Sequence, residues 1–223
     1  MFHFFIWDGE RTLEEVEANT LAFDDDESPP RLFQKLRENA EFRLQFADRV
    51  HRHLSSDGAL TPAAAAERFR AWTGRLDKPI VAESARWGDY RRDVHAYKVG
   101  PYVLYTRDGH WRPETERLLK QYFPQRTAIL LQQFRQAGLY PEIEAPTARQ
   151  VEHALAWSAP AGSIYYTLDG SDPRLPGGQL AASGRKYETP LLVPPGRKIK
   201  ARAVTGQGAS LQWSALAEVG AGP

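Results

Sequence analysis

The segment from Ser163 to Pro173 constrains the fold more than any other part of the chain. Alternation along a β-strand divides the side chains of this segment into two groups. These groups are Ile164, Tyr166 and Leu168 on one face and Tyr165 and Thr167 on the other. Asp169 and Gly170 then tolerate positive φ, so the strand ends there and the chain reverses. The segment therefore predicts a β-strand that runs into a loop.

The stretch Ile164–Pro173 resembles the core of a known family when it is taken together with Tyr187, Pro190 and the later stretch Lys198–Val204. Over about residues 141 to 219 the chain is similar to the chitobiase/β-hexosaminidase C-terminal-type domain, also called the glycoside hydrolase 29D-like β-sandwich domain. This resemblance implies an immunoglobulin-like accessory module attached to larger extracellular bacterial proteins. It also implies that the module has no catalytic residues of its own.

Charge and residue content exclude several classes of function. The chain has 29 Lys and Arg against 28 Asp and Glu, so it lacks an overall field that would attract nucleic acid or an anionic membrane. The absence of cysteine excludes disulfides, zinc–thiolate sites and thiol nucleophiles. No apolar run approaches the roughly 18 residues of a membrane span. The residues after Met1 also lack the pattern of an export signal.

The part of the chain from Arg31 to Gly138 has helical periodicity. Apolar residues recur there at spacings of three, four or their sums, which predicts an apolar stripe along one or two helices. The stripe is formed by Leu32, Leu36, Phe42, Phe46, Val50 and Leu54. Prolines predict the starts of further helices, at Pro62, Pro79, Pro113 and Pro124. Gly138 is predicted to cap the last of them.

The composition changes at Tyr140–Pro146, a proline-containing acidic segment that we interpret as a linker. After it, short strands alternate with Gly and Pro clusters such as Pro194–Gly196, and they suit a sandwich of about seven strands. The sequence thus predicts an α+β protein. A mostly helical domain would cover residues 1–140, and an immunoglobulin-like β-sandwich would cover residues 141–223.

The helical part carries a second resemblance, in the stretches Phe2–Leu13, Ser84–Asp89, Tyr122–Arg126 and Gly138–Pro141. They look like the C-terminal part of CotH kinase family proteins, which have an atypical protein-kinase-like fold. This resemblance implies that Asp8 and Glu10 would hold Mg²⁺ on the phosphates of ATP. Glu10 departs from the family's second aspartate, and its longer side chain changes the geometry of the metal site.

Phosphoryl transfer also requires a lysine on the phosphates, a loop over the nucleotide and a catalytic aspartate, which precede the metal motif in kinase-like chains. Only Met1–Trp7 precede the motif here, and they are predicted to form a buried strand. We therefore expect a truncated kinase-like C-lobe without tight ATP binding. The alternative for Asp8 and Glu10 is a structural role, in which the carboxylates bind backbone amides at a strand-to-helix turn.

Three aromatic residues of the sandwich are candidates for carbohydrate binding, because an exposed aromatic face can stack on a sugar ring. They are Trp157, Tyr165 and Trp213. Aromatic residues of a small sandwich more often fill its core, and the sequence favours this second role.

Two acidic segments suggest cation binding, but each has a simpler interpretation. Asp24–Glu27 lacks a glycine-containing loop of calcium-ligand spacing and is expected to be a solvated loop. Asp169 and Asp172 flank Gly170–Ser171, where aspartates are the residues that a turn requires. We therefore expect both segments to be structural.

Two further groups of polar residues lie in the helical part. His51 and His53 are two residues apart on a helix, point to different faces and are expected at the surface. Glu83, Arg86 and Asp89 are candidates for a buried ion-pair group, and the sequence leaves open whether that group is structural or lies near a pocket.

No serine nucleophile elbow, phosphate-binding glycine loop or His-Glu-x-x-His motif is present in the sequence. The sequence therefore predicts a non-catalytic accessory or interaction module of a larger extracellular, periplasmic or cell-surface bacterial protein. It would carry no cofactor as given, and its partner would be a cell-surface protein or a glycan. The alternatives are a fragment of a Mg/ATP-dependent CotH-type protein kinase and carbohydrate binding by the sandwich.

Overall fold

The structure is a computed structural model, and it describes residues 12–96, 103–193 and 196–220. Within these ranges the α-helices are α1 (Pro29–Leu36), α2 (Ala40–Leu54), α3 (Pro62–Leu76), α4 (Pro79–Trp87), α5 (Tyr90–Asp93), α6 (Arg112–Arg117) and α7 (Phe123–Gln136). The strands are β1 (Thr147–Val151), β2 (Ala154–Ser158), β3 (Ser163–Thr167), β4 (Arg185–Lys186), β5 (Lys198–Thr205), β6 (Gln212–Trp213) and β7 (Ala217–Gly220). The order of helices followed by a β-sandwich confirms the predicted α+β class. No helix of the described ranges is long and apolar enough to cross a membrane.

Local signals in the sequence place the starts of several helices. α3 and α4 begin at Pro62 and Pro79 as predicted, because the fixed φ of proline suits the first helical turn. α2 begins after Asn39, whose side chain accepts hydrogen bonds from the backbone N–H of Glu41 at 2.8 Å and of Phe42 at 3.1 Å. This cap satisfies two N–H groups that have no partner within the helix.

The two helices predicted from Pro113 and Pro124 are one continuous helical run. α6 continues through a π-helical turn at Leu118–Tyr122 into α7, and the N–H of Phe123 donates to the carbonyl of Leu118, five residues earlier. Pro124 directly follows this π-helical turn, and the helix continues past it to Gln136. Gly138, at φ +68°, closes α7 and confirms the predicted cap.

The chain divides into two compact units. The first comprises Met1–Ala18 and Ala59–Ile129, and the second comprises Asn19–Gly58 and Leu130–Pro223. α1 and α2 thus belong to the same compact unit as the strands, although four further helices intervene in the sequence between them and α7. The domain boundary predicted between residues 140 and 141 stays a prediction.

The strands of the second unit form two antiparallel sheets. β1 pairs with β2, and the larger sheet has the order β4–β3–β5–β6, with β7 also paired to β5. β3 and β5 are central in this sheet, where Ser163 pairs with Val204 and Thr167 pairs with Lys200. The predicted strand at residues 163–168 is therefore observed, and it ends one residue earlier than Leu168.

One face of the larger sheet packs against β2 in an apolar core. The buried members of this cluster are Leu155, Trp157, Ile164, Tyr166, Ile199, Ala201 and Ala217. Leu168 packs against the cluster, so all three residues predicted for one face of β3 lie on the same side. Thr167, on the other side of β3, is also fully buried. The larger sheet is therefore covered on both faces.

A second apolar cluster lies around α2. Its buried members are Ala47, Val50, Leu54, Phe134, Leu139, Tyr140, Ala145 and Ala215. Leu32 and Leu36, predicted to continue this stripe, are instead 48% and 41% exposed, and Phe33 packs against the cluster in their place. The reason is that α1 ends at Leu36 and α2 starts anew after Asn39, so the helical phase is not maintained between them.

The predicted linker Tyr140–Pro146 is part of this cluster rather than an exposed connection. Tyr140 and Ala145 are each 5% exposed, and Pro146 is fully buried. The segment has no regular secondary structure, yet its apolar side chains pack with Val50 and Leu54 of α2. Proline and acidic residues indicated a loop correctly, but they did not indicate that the loop would be buried.

Candidate functional site

The two residues predicted to bind metal, Asp8 and Glu10, lie outside the described residues. Within the described ranges, no group of three or more His, Cys, Asp or Glu side chains is arranged to hold a metal ion. The kinase-type site therefore stays a prediction.

The three aromatic residues predicted to bind carbohydrate occupy two different places. Trp157 is 4% exposed and belongs to the apolar core between the sheets. Trp213 is 8% exposed, and its Nε1–H donates to the carbonyl of Gly178 at 2.8 Å. Tyr165 is half-buried, and its ring lies 6.3 Å from that of Trp213. The structure thus brings Tyr165 and Trp213 together and uses Trp157 as a core residue, while carbohydrate binding stays a prediction.

The loop after β3 shows that its two aspartates have different roles. Asp169 accepts hydrogen bonds from the backbone N–H of Ser171 at 2.9 Å and from its hydroxyl at 2.6 Å, which is the predicted turn chemistry. These hydrogen bonds lower the pKa of Asp169. Asp172 accepts from the backbone N–H of Arg174 at 2.9 Å and also binds the side chain of Arg202. The contact with Arg202 goes beyond the turn.

Arg202 of β5 lies at the centre of a buried network of charges, with its side chain only 2% exposed. Nη1 and Nη2 bind the two oxygens of Asp48 at 2.8 and 2.7 Å. Nε and Nη2 bind the two oxygens of Asp172 at 2.8 and 2.6 Å. Nη1 also donates to the carbonyl of Ser214 at 2.7 Å. All five N–H donors of the guanidinium are therefore used, and both carboxylates are bound in the bidentate arrangement.

This network joins α2 to the larger sheet within the second unit. Asp48 belongs to α2, Arg202 belongs to β5 and Asp172 belongs to the loop after β3. Asp48 also accepts from the backbone N–H of Leu216 at 2.8 Å. Burial alone would lower the pKa of Arg202, but the hydrogen bonds from its guanidinium to Asp172 and Asp48 outweigh it and raise the pKa. The guanidinium is thus charged and fully paired.

A second ion pair lies two helical turns earlier on α2. Glu41 binds Arg174 through Nη1 at 2.8 Å and Nη2 at 2.6 Å, and it accepts from the backbone N–H of Gly177 at 2.9 Å. The side-chain hydrogen bond from Arg174, followed by that from Gly177, lowers the pKa of Glu41 from 4.5 to about 2. Glu41 and Asp48 are seven residues apart, so they lie on the same side of α2 and both face the sandwich.

Sequence reasoning missed these contacts because Arg202 resembles a surface residue. Lys198, Lys200 and Arg202 alternate with the apolar Ile199, Ala201 and Ala203 of β5, which is the usual pattern of a sheet with one solvated face. The seven-residue spacing of Glu41 and Asp48 could have predicted these contacts. It places two acidic side chains on one side of a helix, where they can pair with basic side chains on a sheet.

Two further expectations concern charged segments of the chain. The loop Asp24–Glu27 is largely exposed, as predicted, and Asp24 pairs with Arg31 at 2.6 Å. The expectation of a buried ion-pair group is wrong, because Glu83, Arg86 and Asp89 are all exposed. No residue of α4 is buried, and the guanidinium of Arg86 lies 5.0 Å from the centre of the Trp87 ring.

The predicted surface position of His51 is wrong, whereas His53 is exposed. His51 is half-buried because Tyr140 packs beside it, and its Nδ1 lies 3.0 Å from the Tyr140 hydroxyl. Burial lowers the pKa of His51, although Asp48 and Glu144 act in the opposite direction. Burial also raises the pKa of Tyr140 to about 12.

The first unit contains a separate cavity with a volume of about 760 Å³, which is within the usual range for small-molecule sites. One side of α4 lines it with four residues, which are Ile80, Glu83, Ser84 and Trp87. The other wall comes from the π-helical turn Arg107–Trp111 and from α6, and it includes His110, Trp111, Glu114 and Arg117. Tyr105 and Thr106 complete the lining.

Close backbone packing builds this cavity. The N–H of Tyr105 donates to the carbonyl of Gly88 at 2.9 Å. A Cβ atom on Gly88 would lie 2.4 Å from the carbonyl oxygens of both Ser84 and Tyr105, so glycine is needed for this approach. The N–H of Thr106 donates to Nδ1 of His110 at 3.1 Å, which leaves the proton of a neutral imidazole on Nε2. Two walls of the cavity are thus held by specific contacts.

A family model described as Fn3 associated matches residues 154–212, from the first residue of β2 to the first residue of β6. Neither the CotH kinase family nor the chitobiase-type family was matched. Comparisons with curated proteins and with solved structures found no match. The matched range covers less than half of the chain and lies within the sandwich.

Proposed function

We propose that this chain is a non-catalytic accessory or interaction module of a larger exported or cell-surface bacterial protein. The observation that carries the proposal is the Fn3 associated match over residues 154–212. The contacts of Arg202 support it, because they join α2 to the sheet by charged hydrogen bonds within the same compact unit. These contacts hold the sheet and α2 in one arrangement, as an interaction module requires.

Fractionation of the source cells tests this proposal. An antibody raised against residues 154–212 should detect a polypeptide larger than the 25.2 kDa of this chain in the exported or surface fraction. A 25.2 kDa band confined to the cytoplasm would contradict both parts of the proposal. A cytoplasmic marker protein, followed in the same fractions, controls for lysis.

The kinase alternative depends on Asp8 and Glu10 and predicts binding of Mg·ATP. Thermal unfolding of the chain with and without Mg·ATP measures this binding, because a ligand that binds the native state raises the unfolding temperature. Under our proposal the unfolding temperature does not change. A rise that is abolished in Asp8→Ala would support the kinase alternative instead.

The carbohydrate alternative depends on Tyr165 and Trp213, the aromatic pair of the sandwich. Tyr165 is the better position to change, because it is only half-buried, whereas a truncation of Trp157 or Trp213 would open the interior. A glycan array probed with the wild-type chain and with Tyr165→Ala tests the alternative. Saturable binding that disappears in a folded Tyr165→Ala variant would establish a carbohydrate-binding module, and no binding is expected under our proposal.

A further inference from the structure

The cavity of the first unit has the composition of a site for an organic cation. Its walls include the aromatic rings of Trp87, Tyr105 and Trp111. Aromatic faces attract cations through the ring quadrupole, and quaternary ammonium groups are the cations that aromatic cages recognise best. Trp87 already makes one such contact, since the guanidinium of Arg86 lies 5.0 Å from the centre of its ring.

The charged residues of the cavity leave one carboxylate without a counter-ion. Arg117 binds both oxygens of Glu114, through Nε at 2.8 Å and Nη2 at 2.6 Å, so these two charges cancel. Glu83 also lines the cavity, but across residues 12–96, 103–193 and 196–220 its carboxylate has neither an ion-pair nor a hydrogen-bond partner. The acidic and basic residues of the lining, Glu83, Glu114 and Arg117, therefore sum to one negative charge, which favours a cationic ligand.

Polar groups near the aromatic rings suit a ligand that also has a hydroxyl group. The Nδ1 atom of His110 accepts from the backbone of Thr106, so the Nε2–H of a neutral imidazole is a donor. Ser84, half-buried on α4, adds a hydroxyl to the lining. A volume of about 760 Å³ accommodates a small organic molecule with a bulky ammonium group.

From these observations we propose that the cavity between α4 and the Arg107–Trp111 turn binds a small quaternary ammonium compound of the choline type. The trimethylammonium group contacts the rings of Tyr105, Trp87 and Trp111, and Glu83 supplies the opposite charge. This site lies in the first unit, outside the residues of the Fn3 associated match, so it does not depend on the proposed function of the sandwich.

A comparison of two ligands of the same shape tests the proposal. Choline and its uncharged isostere 3,3-dimethyl-1-butanol differ in charge but scarcely in size. Each is titrated into the full-length ¹⁵N-labelled chain, and the indole N–H signals are followed by NMR. We expect choline to bind about tenfold more tightly than the alcohol, because the aromatic rings and the Glu83 carboxylate attract only the charged ligand. The signals of Trp87 and Trp111 should shift, and those of Trp157 and Trp213 should not.

Two variants distinguish binding at this cavity from a nonspecific effect of removing one negative charge. Glu83→Gln removes the unpaired carboxylate at an exposed position and should weaken choline binding about threefold while leaving the affinity for the alcohol unchanged. Glu116→Gln is the matched control, because Glu116 is on α6, pairs with Lys120 and does not line the cavity. It should bind choline like the wild type.

Several results would overturn the proposal. They are equal affinity for choline and the alcohol, unchanged choline affinity in Glu83→Gln, and choline-induced shifts that omit Trp87 and Trp111. Absence of choline binding would also overturn it, and the spectrum of the same sample would show whether the chain is folded.

Discussion

Arg202 shows how strongly the surroundings decide the role of a single residue. On β5 it occupies the same side as Lys200, yet its side chain is only 2% exposed. Asp48 and Asp172 accept hydrogen bonds from four of its five N–H groups. A buried guanidinium is tolerated only when its charge and its N–H groups are satisfied. The two carboxylates and the Ser214 carbonyl meet this requirement. The alternation along β5 correctly gave the side of the strand on which Arg202 lies, but not its burial.

Glu41 gives a prediction at the residue scale that concerns pH. Its pKa is lowered from 4.5 to about 2 in the folded chain, so the stability it contributes is present above pH 4.5 and is lost as the pH falls towards 2. The free energy of unfolding of Glu41→Gln should be about 1 kcal/mol below that of the wild type at pH 6, since the pair is partly exposed and screened. Urea unfolding between pH 2 and pH 6 should show this difference shrinking with acid.

Glu38→Gln is the control for this measurement. Glu38 is also an acid near the start of α2, but its side chain is 69% exposed and pairs only with Lys35. The difference between Glu38→Gln and the wild type should be small at every pH. A pH-independent difference for Glu41→Gln would contradict the role assigned to its ion pair with Arg174.

At the scale of elements, local signals predicted the helix starts and the central strands. Proline at the first turn placed α3 and α4, and the alternation of Ile164 and Tyr166 placed β3. Both signals act over a few residues, which is why the sequence was sufficient. The continuity from α6 to α7 was not predicted, because a π-helical turn has no reliable sequence signal and changes where Pro124 lies in the helix.

Two glycines with positive φ allow the cost of close packing between strands to be separated from the cost of backbone conformation. Gly138 (φ +68°) closes α7 in open space, whereas a Cβ atom on Gly162 (φ +82°), which precedes β3, would lie 2.4 Å from the carbonyl oxygen of Val204 in β5. Gly138→Ala should cost about 1 kcal/mol for the left-handed backbone alone. Gly162→Ala should cost at least twice as much, because the contact between β3 and β5 must also open. Chemical unfolding measures both, and equal losses would show that Val204 can move aside without cost.

At the scale of the whole molecule, the compact units do not follow the order of the sequence. α1 and α2 come before α3 in the chain, but they share a unit with the sandwich, while α3 to α6 belong to the other. The contacts responsible join residues far apart in sequence, such as Asp48 with Arg202 and Arg37 with the carbonyl of Ala137. Composition along the chain indicates where helices give way to strands, but it does not indicate which helices pack on the strands.

Arg202→Met tests whether α2 and the sandwich unfold together. Removal of the guanidinium leaves two carboxylates without their partner, and we expect a loss of about 3 kcal/mol. Amide hydrogen exchange should then become faster in α2 and β5 to the same extent, while exchange in α3 stays unchanged. Lys200→Met, on the same strand and side, is the control and should leave all three elements protected. Faster exchange in β5 with unchanged protection of α2 would contradict a shared unit.

The sequence by itself determined the features that depend on near neighbours. These are the α+β order, the helix starts at Pro62 and Pro79, the cap at Gly138 and the face of β3 that enters the core. The tertiary structure alone decided which polar residues are buried and which cavity exists. Burial of Arg202 requires the carboxylate of Asp48, which is 154 positions away in the sequence. The cavity requires α4 to pack beside the Arg107–Trp111 turn, which is not adjacent to it in the sequence. Such pairings depend on the packing of whole elements, which no short pattern records.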